Sequence, residues 1–177
     1  PDRANDLLIE VSGRPGRIGG NMVLMLLSAV ERFSPEAYLT ACKRAVDTGD
    51  SQRVRTLVDE AKSHLSEPRP SLAGEVMVYA YTCNRKSMAR ELIDKSTPEQ
   101  IAAAPSALLR QAVASLDLQA AVTLVDKGIR PGDHAADILR TLTGQHQEWM
   151  AEQLLAHGMP VGPDNYAALY ACISNGA

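Results

Sequence analysis

Aromatic residues are scarce in this sequence, in which Phe, Trp and Tyr together make up only 4% of 177 residues. Strands of a β-sandwich are rich in aromatic and β-branched side chains, so a core built from Ala, Leu, Val and Met favours packed helices. Cysteines are also few: Cys42, Cys83 and Cys172 form no close pair, which indicates neither a zinc knuckle nor a disulfide framework. Reduced thiols of this kind suit an intracellular compartment.

The chain also has no long apolar run and no dominant charge. Its longest apolar stretch, residues 22–30, is interrupted by Ser28 and is too short to span a bilayer. The net charge of −3 is unevenly distributed, because residues 1–131 have a net charge of +1 and residues 132–177 a net charge of −4. A uniformly basic surface for nucleic acid is therefore excluded.

A short helical face recurs along the chain instead. Apolar residues at positions i, i+3 and i+4 mark one face of an α-helix. The face appears in five copies that begin at Val23, Val54, Ala89, Ala121 and Ala151. The intervals of 31, 35, 32 and 30 residues are typical of helical-hairpin arrays. We therefore predict an all-α fold, a right-handed superhelical solenoid of about five stacked helix-turn-helix repeats.

Turn and capping signals divide the chain into two predicted parts. Residues 1–33 are predicted to form a degenerate N-terminal repeat or cap. It consists of a short helix or strand over residues 3–12, a glycine-rich loop over residues 12–20 and a second helix over residues 21–32. Residues 34–177 are predicted to form the array, which we expect to continue past Ala177. Its predicted helices cover residues 35–47, 51–64, 72–82, 87–95, 100–104, 105–115, 118–127, 133–143, 147–157 and 165–174.

Two repeat families share features with these hairpins. The segment SPEAYLTACKRAVDTGDSQRVRTLVDEA resembles a pentatricopeptide repeat, with Pro before the first helix, an early Tyr and Gly-Asp at the turn. The linkers GIRPG and GMPVGPDNYAAL are similar to the linker of that family, and Tyr38 and Tyr166 occupy corresponding places. Ankyrin repeats are the alternative, since LLAHG at 154–158 resembles the end of an ankyrin helix pair. The ankyrin Thr-Pro-Leu-His signature is absent, and Gly158 lies too close to Leu169 for a β-hairpin finger.

The pentatricopeptide resemblance implies binding of single-stranded RNA in mitochondria or plastids, read one base per repeat near the start of each first helix. The corresponding column here holds Leu39, Gly74, Ser106, Ala136 and either Tyr166 or Ala167. Only Ser106 offers a short polar group. We therefore expect a scaffold that docks onto protein partners in a large assembly, such as an organellar ribonucleoprotein. Direct single-stranded RNA binding is the alternative, and the cytoplasm is the expected compartment if the resemblance fails.

Catalytic, cofactor and metal sites have no support in the sequence. The four histidines form no metal-binding pair, and the segment GRPGRIGG lacks the Lys-Ser/Thr that ends a phosphate loop. Cys42 and Cys172 fall at apolar core spacing, and Trp149 is predicted to be a packing residue. We predict no enzymatic activity, no cofactor, no metal and no small-molecule substrate.

Basic residues form the predicted partner-binding surface. Arg53 and Arg90 flank corresponding columns and are expected to share a face, whereas Arg55 is expected to pair with Asp59 in its own helix. The candidate contacts to a protein partner or to RNA are Arg14, Arg17, Lys43, Arg44, Arg53, Arg85, Lys86 and Arg90.

Overall fold

A computed structural model of the chain describes residues 2–160 and residue 162, and within them it contains helices and no β-strand. The predicted all-α class is therefore confirmed for this part of the chain. The α-helices are α1 (Asp2–Ser12), α2 (Gly16–Ala29), α3 (Pro35–Thr48), α4 (Ser51–His64), α5 (Leu72–Thr82), α6 (Lys86–Lys95), α7 (Pro98–Ala102), α8 (Ala107–Ala114), α9 (Leu118–Asp126), α10 (Ala135–Gly144) and α11 (Glu148–Ala156). A single 3-10 turn, Gly132–His134, precedes α10. The predicted helix over residues 165–174, with Tyr166 and Cys172, lies outside the described residues.

Local capping sets the starts of α3 and α7; α3 begins at its predicted residue, whereas α7 begins two residues before the predicted helix over residues 100–104. Ser34 begins α3 by accepting a hydrogen bond of 3.2 Å from the backbone N–H of Ala37. Thr97 begins α7 in a capping box, in which its hydroxyl and the side chain of Gln100 each bond to the other's backbone N–H. The bounds of α3, α4, α5 and α6 lie within one residue of their predicted positions.

The predicted loop over residues 12–20 is wrong, because α2 already begins at Gly16. Three glycines lower helix propensity here, but one of them is required by packing. A Cβ added at Gly19 would lie 2.3 Å from the backbone carbonyl oxygen of Arg14, so only glycine lets α2 approach the preceding turn this closely. The second predicted helix, over residues 21–32, was expected to bury Leu24 along with Val23 and Leu27, and this is partly wrong, since Val23 and Leu27 are buried but Leu24 is 52% exposed.

A left-handed residue ends the first helix of each hairpin. These residues are Gly49, Asn84, Leu116 and His146, with φ angles of 76°, 57°, 51° and 53°. They follow one another at 35, 32 and 30 residues, the same intervals that separate the recurring apolar faces of α4, α6, α9 and α11. At the last three turns, the next residue donates a backbone hydrogen bond five residues back, as in a Schellman motif.

The chain divides into two compact units, residues 1–92 and 93–177. In the first unit, α1 packs on α2 and α3, and α3 packs on α4 and α5. Its core includes Val54 and Leu57 of the recurring face, and the buried hydroxyl of Tyr38 donates to the Leu57 carbonyl at 2.8 Å. In the second unit, α8 packs on α9 and α10, and α11 packs on the same two helices. Leu124 and Leu154 are fully buried there.

Candidate interaction surface

Seven of the eight predicted contact residues lie at the surface, and one does not. Arg14, Arg17, Arg44 and Arg85 are exposed, and Lys43, Lys86 and Arg90 are half-buried. The prediction for Arg53 is wrong, because its side chain is only 2% exposed. Arg53 therefore shares no exposed face with Arg90.

Arg53 serves the fold by binding the turn between α1 and α2. Its Nη1 donates to the backbone carbonyls of Ser12 and Arg14 at 2.9 and 2.6 Å, and its Nη2 donates to that of Gly16 at 2.8 Å. The carbonyls at the end of a helix have no partner within the helix, and a cation satisfies them well. Asp50 balances the buried charge, with a carboxylate oxygen 3.2 Å from Nη2.

The remaining cations include two that take part in an ordered cluster on α3 and α5. Tyr79 lies at its centre, since its hydroxyl donates to Asp47 Oδ1 at 2.9 Å and Lys43 Nζ lies 5.4 Å from its ring centroid. Cys83 Sγ lies 3.8 Å from the same carboxylate, and Arg85 Nη2 donates to the Asp47 backbone carbonyl at 3.2 Å. We name Lys43, Asp47, Tyr79, Cys83 and Arg85 the α3–α5 surface.

The electrostatics of this surface centre on Tyr79. Hydrogen bonds with Cys83 and with the Asp47 carboxylate raise the pKa of Tyr79 above its ordinary value, so the phenol stays a neutral donor. Lys43 and the tyrosine ring form a cation–π contact, which fixes the ammonium group at the surface.

Arg14, Arg17 and Arg44 lie outside this cluster, near the α1–α2 turn. Arg14 forms an ion pair with Glu10 on the preceding turn of α1. Arg44 lies beside the same turn, where a Cβ added at Gly13 would be 3.6 Å from the Arg44 Cβ. Arg17 is exposed near the start of α2. These three arginines are therefore separate from the contacts of Tyr79.

Arg55 pairs across hairpins rather than within its own helix. Its Nη1 lies 2.9 Å from Glu91 Oε1 on α6, so the predicted pairing with Asp59 is wrong. The two residues are 36 positions apart, close to one repeat interval. Opposite charges separated by nearly one repeat interval were therefore the signal in the sequence.

Trp149 is 52% exposed, so the prediction that it packs in the core is wrong. Helix α11 buries Met150, Ala151 and Leu154, which leaves the second residue of the helix on the outer side. Its indole Nε1 donates to Gln147 Oε1 at 2.6 Å. Sequence reasoning also missed Ile18 and Met25, which are 73% and 72% exposed on α2. Their separation of seven residues places them on one side of the helix.

The predicted base-reading column is poorly placed for contact with bases. Leu39 and Gly74 are buried, and Ser106 and Ala136 are half-buried. Within residues 2–160 and 162, no three His, Cys, Asp or Glu side chains come together as a metal site would require. None of the helices described is both long enough and apolar enough to cross a membrane.

Comparisons with protein-family models, with curated proteins and with solved structures found no match to this chain. The resemblance to pentatricopeptide repeats therefore stays a prediction.

Proposed function

We propose that this protein is a non-enzymatic helical-repeat scaffold, whose hairpins stack as a right-handed solenoid and dock onto a macromolecular partner. The partner assembly is a large complex such as an organellar ribonucleoprotein. The left-handed turns and the apolar helix faces recur at the same intervals along the chain, which supports the repeat. A hairpin cannot bury its apolar face alone, so neighbours in the same register cover one another.

The α3–α5 surface is the observation that carries the docking function. Its side chains come from α3, from α5 and from the turn after α5, and contacts among them hold each in place. Side chains that are already ordered lose less entropy on binding. Tyrosine and arginine are enriched at protein interfaces, and Tyr79 and Arg85 supply both. The arrangement therefore favours a protein partner.

Direct RNA binding is the second candidate, favoured by the exposed arginines beside the α1–α2 turn. Against it, Lys43 and Arg14 already contact groups of the protein, and the column expected to read bases includes buried Leu39 and Gly74. Contacts to RNA would therefore be made to phosphates, which position a nucleic acid without specifying its sequence.

The RNA candidate is tested by fluorescence anisotropy with several unrelated single-stranded RNAs at two salt concentrations. We expect weak binding, with a Kd of about 10⁻⁴–10⁻⁶ M near physiological salt, a steep loss at higher salt and no preference among sequences. Preference for one RNA by more than about a hundredfold would replace the scaffold proposal with sequence-specific RNA binding.

The docking function is tested with a charge-reversal variant of the two cations of the α3–α5 surface, Lys43→Glu combined with Arg85→Glu. The matched control is Arg140→Glu on α10, since the Arg140 side chain is 77% exposed and lies in the other unit. Proteins bound by the affinity-purified full chain are quantified by mass spectrometry. We expect specific partners to be retained by wild type and control and lost from the double variant. Equal recovery with all three chains would contradict docking through this surface.

A further inference from the structure

The outer face of α2 is apolar and exposed. Ile18, Leu24 and Met25 are 73%, 52% and 72% exposed, and Arg17 lies on the same side of the helix. Helix α2 contains no acidic residue. A contiguous group of exposed large apolar side chains on a soluble protein marks an interaction site.

A groove runs beside this face, between α2 and the first turns of α4. It has a volume of about 340 Å³, and Arg17 and Leu24 line it from α2 while Gln52 and Thr56 line it from α4. Asp50, which is paired with the buried Arg53, lines it from the turn before α4. Its size suits one large side chain, and the exposed Arg17 is one of its lining residues. The face and groove together, which we name the α2 face, therefore suit an aromatic anchor flanked by a carboxylate.

The second unit of the same chain presents such a group. Trp149 is 52% exposed on α11, and the exposed residues Glu152, Gln153 and Ala156 lie on its side of that helix. Glu148 lies at the edge of this side and is half-buried. We name Trp149, Glu152, Gln153 and Ala156 the α11 face. It combines an aromatic side chain with an acidic one.

We propose that the α2 face of one copy binds the α11 face of a second copy, so that the protein assembles head to tail. Trp149 would pack against Leu24 and Met25, and Glu152 would lie near Arg17. Charge favours this occupant, since residues 1–131 have a net charge of +1 and residues 132–177 a net charge of −4. Two different surfaces meet, which makes the contact heterologous and allows chains of more than two copies. This proposal goes beyond the docking function and does not depend on it.

Analytical ultracentrifugation of the full chain tests the assembly over a range of concentrations. We expect the mean mass to rise with concentration and to fall as salt is added, because the two faces carry opposite charges. Met25→Glu and Trp149→Ala are each expected to lower the association constant at least about tenfold, as loss of a central interface side chain does. The control is Leu116→Ser, which removes a side chain 47% exposed in a turn outside both faces, and it is expected to change nothing.

Mixing the two variants tests whether the α2 face of one copy binds the α11 face of another. Met25→Glu keeps an intact α11 face and Trp149→Ala keeps an intact α2 face, so the mixture is expected to form dimers and to stop there. Arg17→Glu is expected to weaken association, and addition of Glu152→Arg is expected to restore it. Circular dichroism checks that each variant keeps its helix content.

Sedimentation as a monomer at all concentrations, or a mixture of variants that forms no dimers, would overturn the proposal. An assembly that both variants leave intact would overturn it too, because neither face would then be used. If the α2 face instead holds a different, acidic protein, Met25→Glu removes that protein from affinity-purified material while the chain alone stays monomeric. Partner binding through the α3–α5 surface is measured separately on the Met25→Glu variant. Failure of self-assembly is then distinguishable from failure of the docking function.

Discussion

Arg44 and Arg53 lie in the same hairpin, but their environments are opposite. Arg44 is exposed beside the α1–α2 turn, whereas Arg53 is enclosed and donates to three backbone carbonyls. Both residues have the same chemistry, so composition does not separate a solvated arginine from a structural one. Three-dimensional contacts with a segment 37 to 41 residues away make the difference.

Truncation of Arg53 is therefore expected to act on stability. Arg53→Ala leaves buried carbonyls without a donor and is expected to lower the free energy of unfolding by about 3 kcal/mol. Arg44→Ala, an exposed change in the same hairpin, is expected to cost less than about 0.5 kcal/mol. Urea titration of both variants measures the difference. Equal stability of the two variants would show that Arg53 is solvated.

The buried thiol of Cys42 makes stability depend on alkaline pH. Burial raises the pKa of Cys42 from 9.0 to about 12, so above pH 9 the unfolded chain loses this proton while the folded chain keeps it. The contribution of Cys42 to stability is therefore complete below about pH 9 and is lost as the pH rises toward about 12.

Cys42→Ala is expected to reduce the decline in stability between pH 9 and pH 11, as measured by urea titration at several pH values. Burial also raises the pKa of Tyr38, so part of the decline in stability is expected to remain in the Cys42→Ala variant. Thr40→Ala, an exposed change without a titratable group in the same helix, is the control and is expected to leave the decline unchanged. Parallel pH profiles for Cys42→Ala and wild type would contradict the burial of this thiol.

At the scale of elements, four of the turns described, each between the two helices of a hairpin, have one backbone conformation and four different residues. Gly49 adopts the left-handed conformation without steric cost. Leu116 adopts it with a φ of 51°, although its Cβ disfavours this conformation by about 1–2 kcal/mol. The fold therefore imposes the turn on a residue that does not prefer it.

Leu116→Gly is expected to raise the free energy of unfolding by about 0.5–1 kcal/mol, because relief of strain exceeds the added freedom of the unfolded chain. The side chain is 47% exposed, so little burial is lost. Gln153→Gly, at an exposed position in the middle of α11, is the matched control and is expected to lower the free energy of unfolding by about 0.5–1 kcal/mol. Thermal or urea unfolding gives both values, and a destabilised Leu116→Gly would mean that the leucine side chain has a packing role.

The recurring helix faces supply the core contacts of the hairpins. Leu92 is 4% exposed and Leu124 is fully buried, as the repeat predicted. Leu→Ala at either position is expected to lower the free energy of unfolding by about 2–5 kcal/mol. Thr123→Ala, next to Leu124 and half-buried, is expected to cost less than about 0.5 kcal/mol. Similar losses from Leu124→Ala and Thr123→Ala in urea would show an incorrect helix register.

At the scale of the whole molecule, helices account for all the regular structure in the residues described, apart from one isolated bridge between Phe33 and Leu65. Far-UV circular dichroism of the full chain is expected to show predominantly helix. A strand content above about a fifth would contradict the all-α class, since an ordinary globular domain carries about that much. The same measurement includes residues 163–177, within which a further helix is predicted over residues 165–174.

The sequence alone determined the features that depend on local interactions. Apolar residues at helical spacing predicted the faces of α4, α6 and α9, and the pairs Ser34-Pro35 and Thr97-Pro98 predicted helix starts. These signals act within one turn of helix, through a backbone N–H group or one face of the same helix. Such signals are readable without knowing which segments meet in space.

Only the tertiary structure decided the features that depend on contacts between distant segments. A glycine-rich segment that was predicted to be a loop forms the start of α2, because Gly19 allows the helix to pack closely against the carbonyl of Arg14. Arg53 is buried because the end of α1 brings its carbonyls there, and Trp149 is exposed because α11 buries its opposite side. Burial and charge pairing depend on which helices pack against each other. The residue type alone determines only which kinds of contact a side chain is able to make.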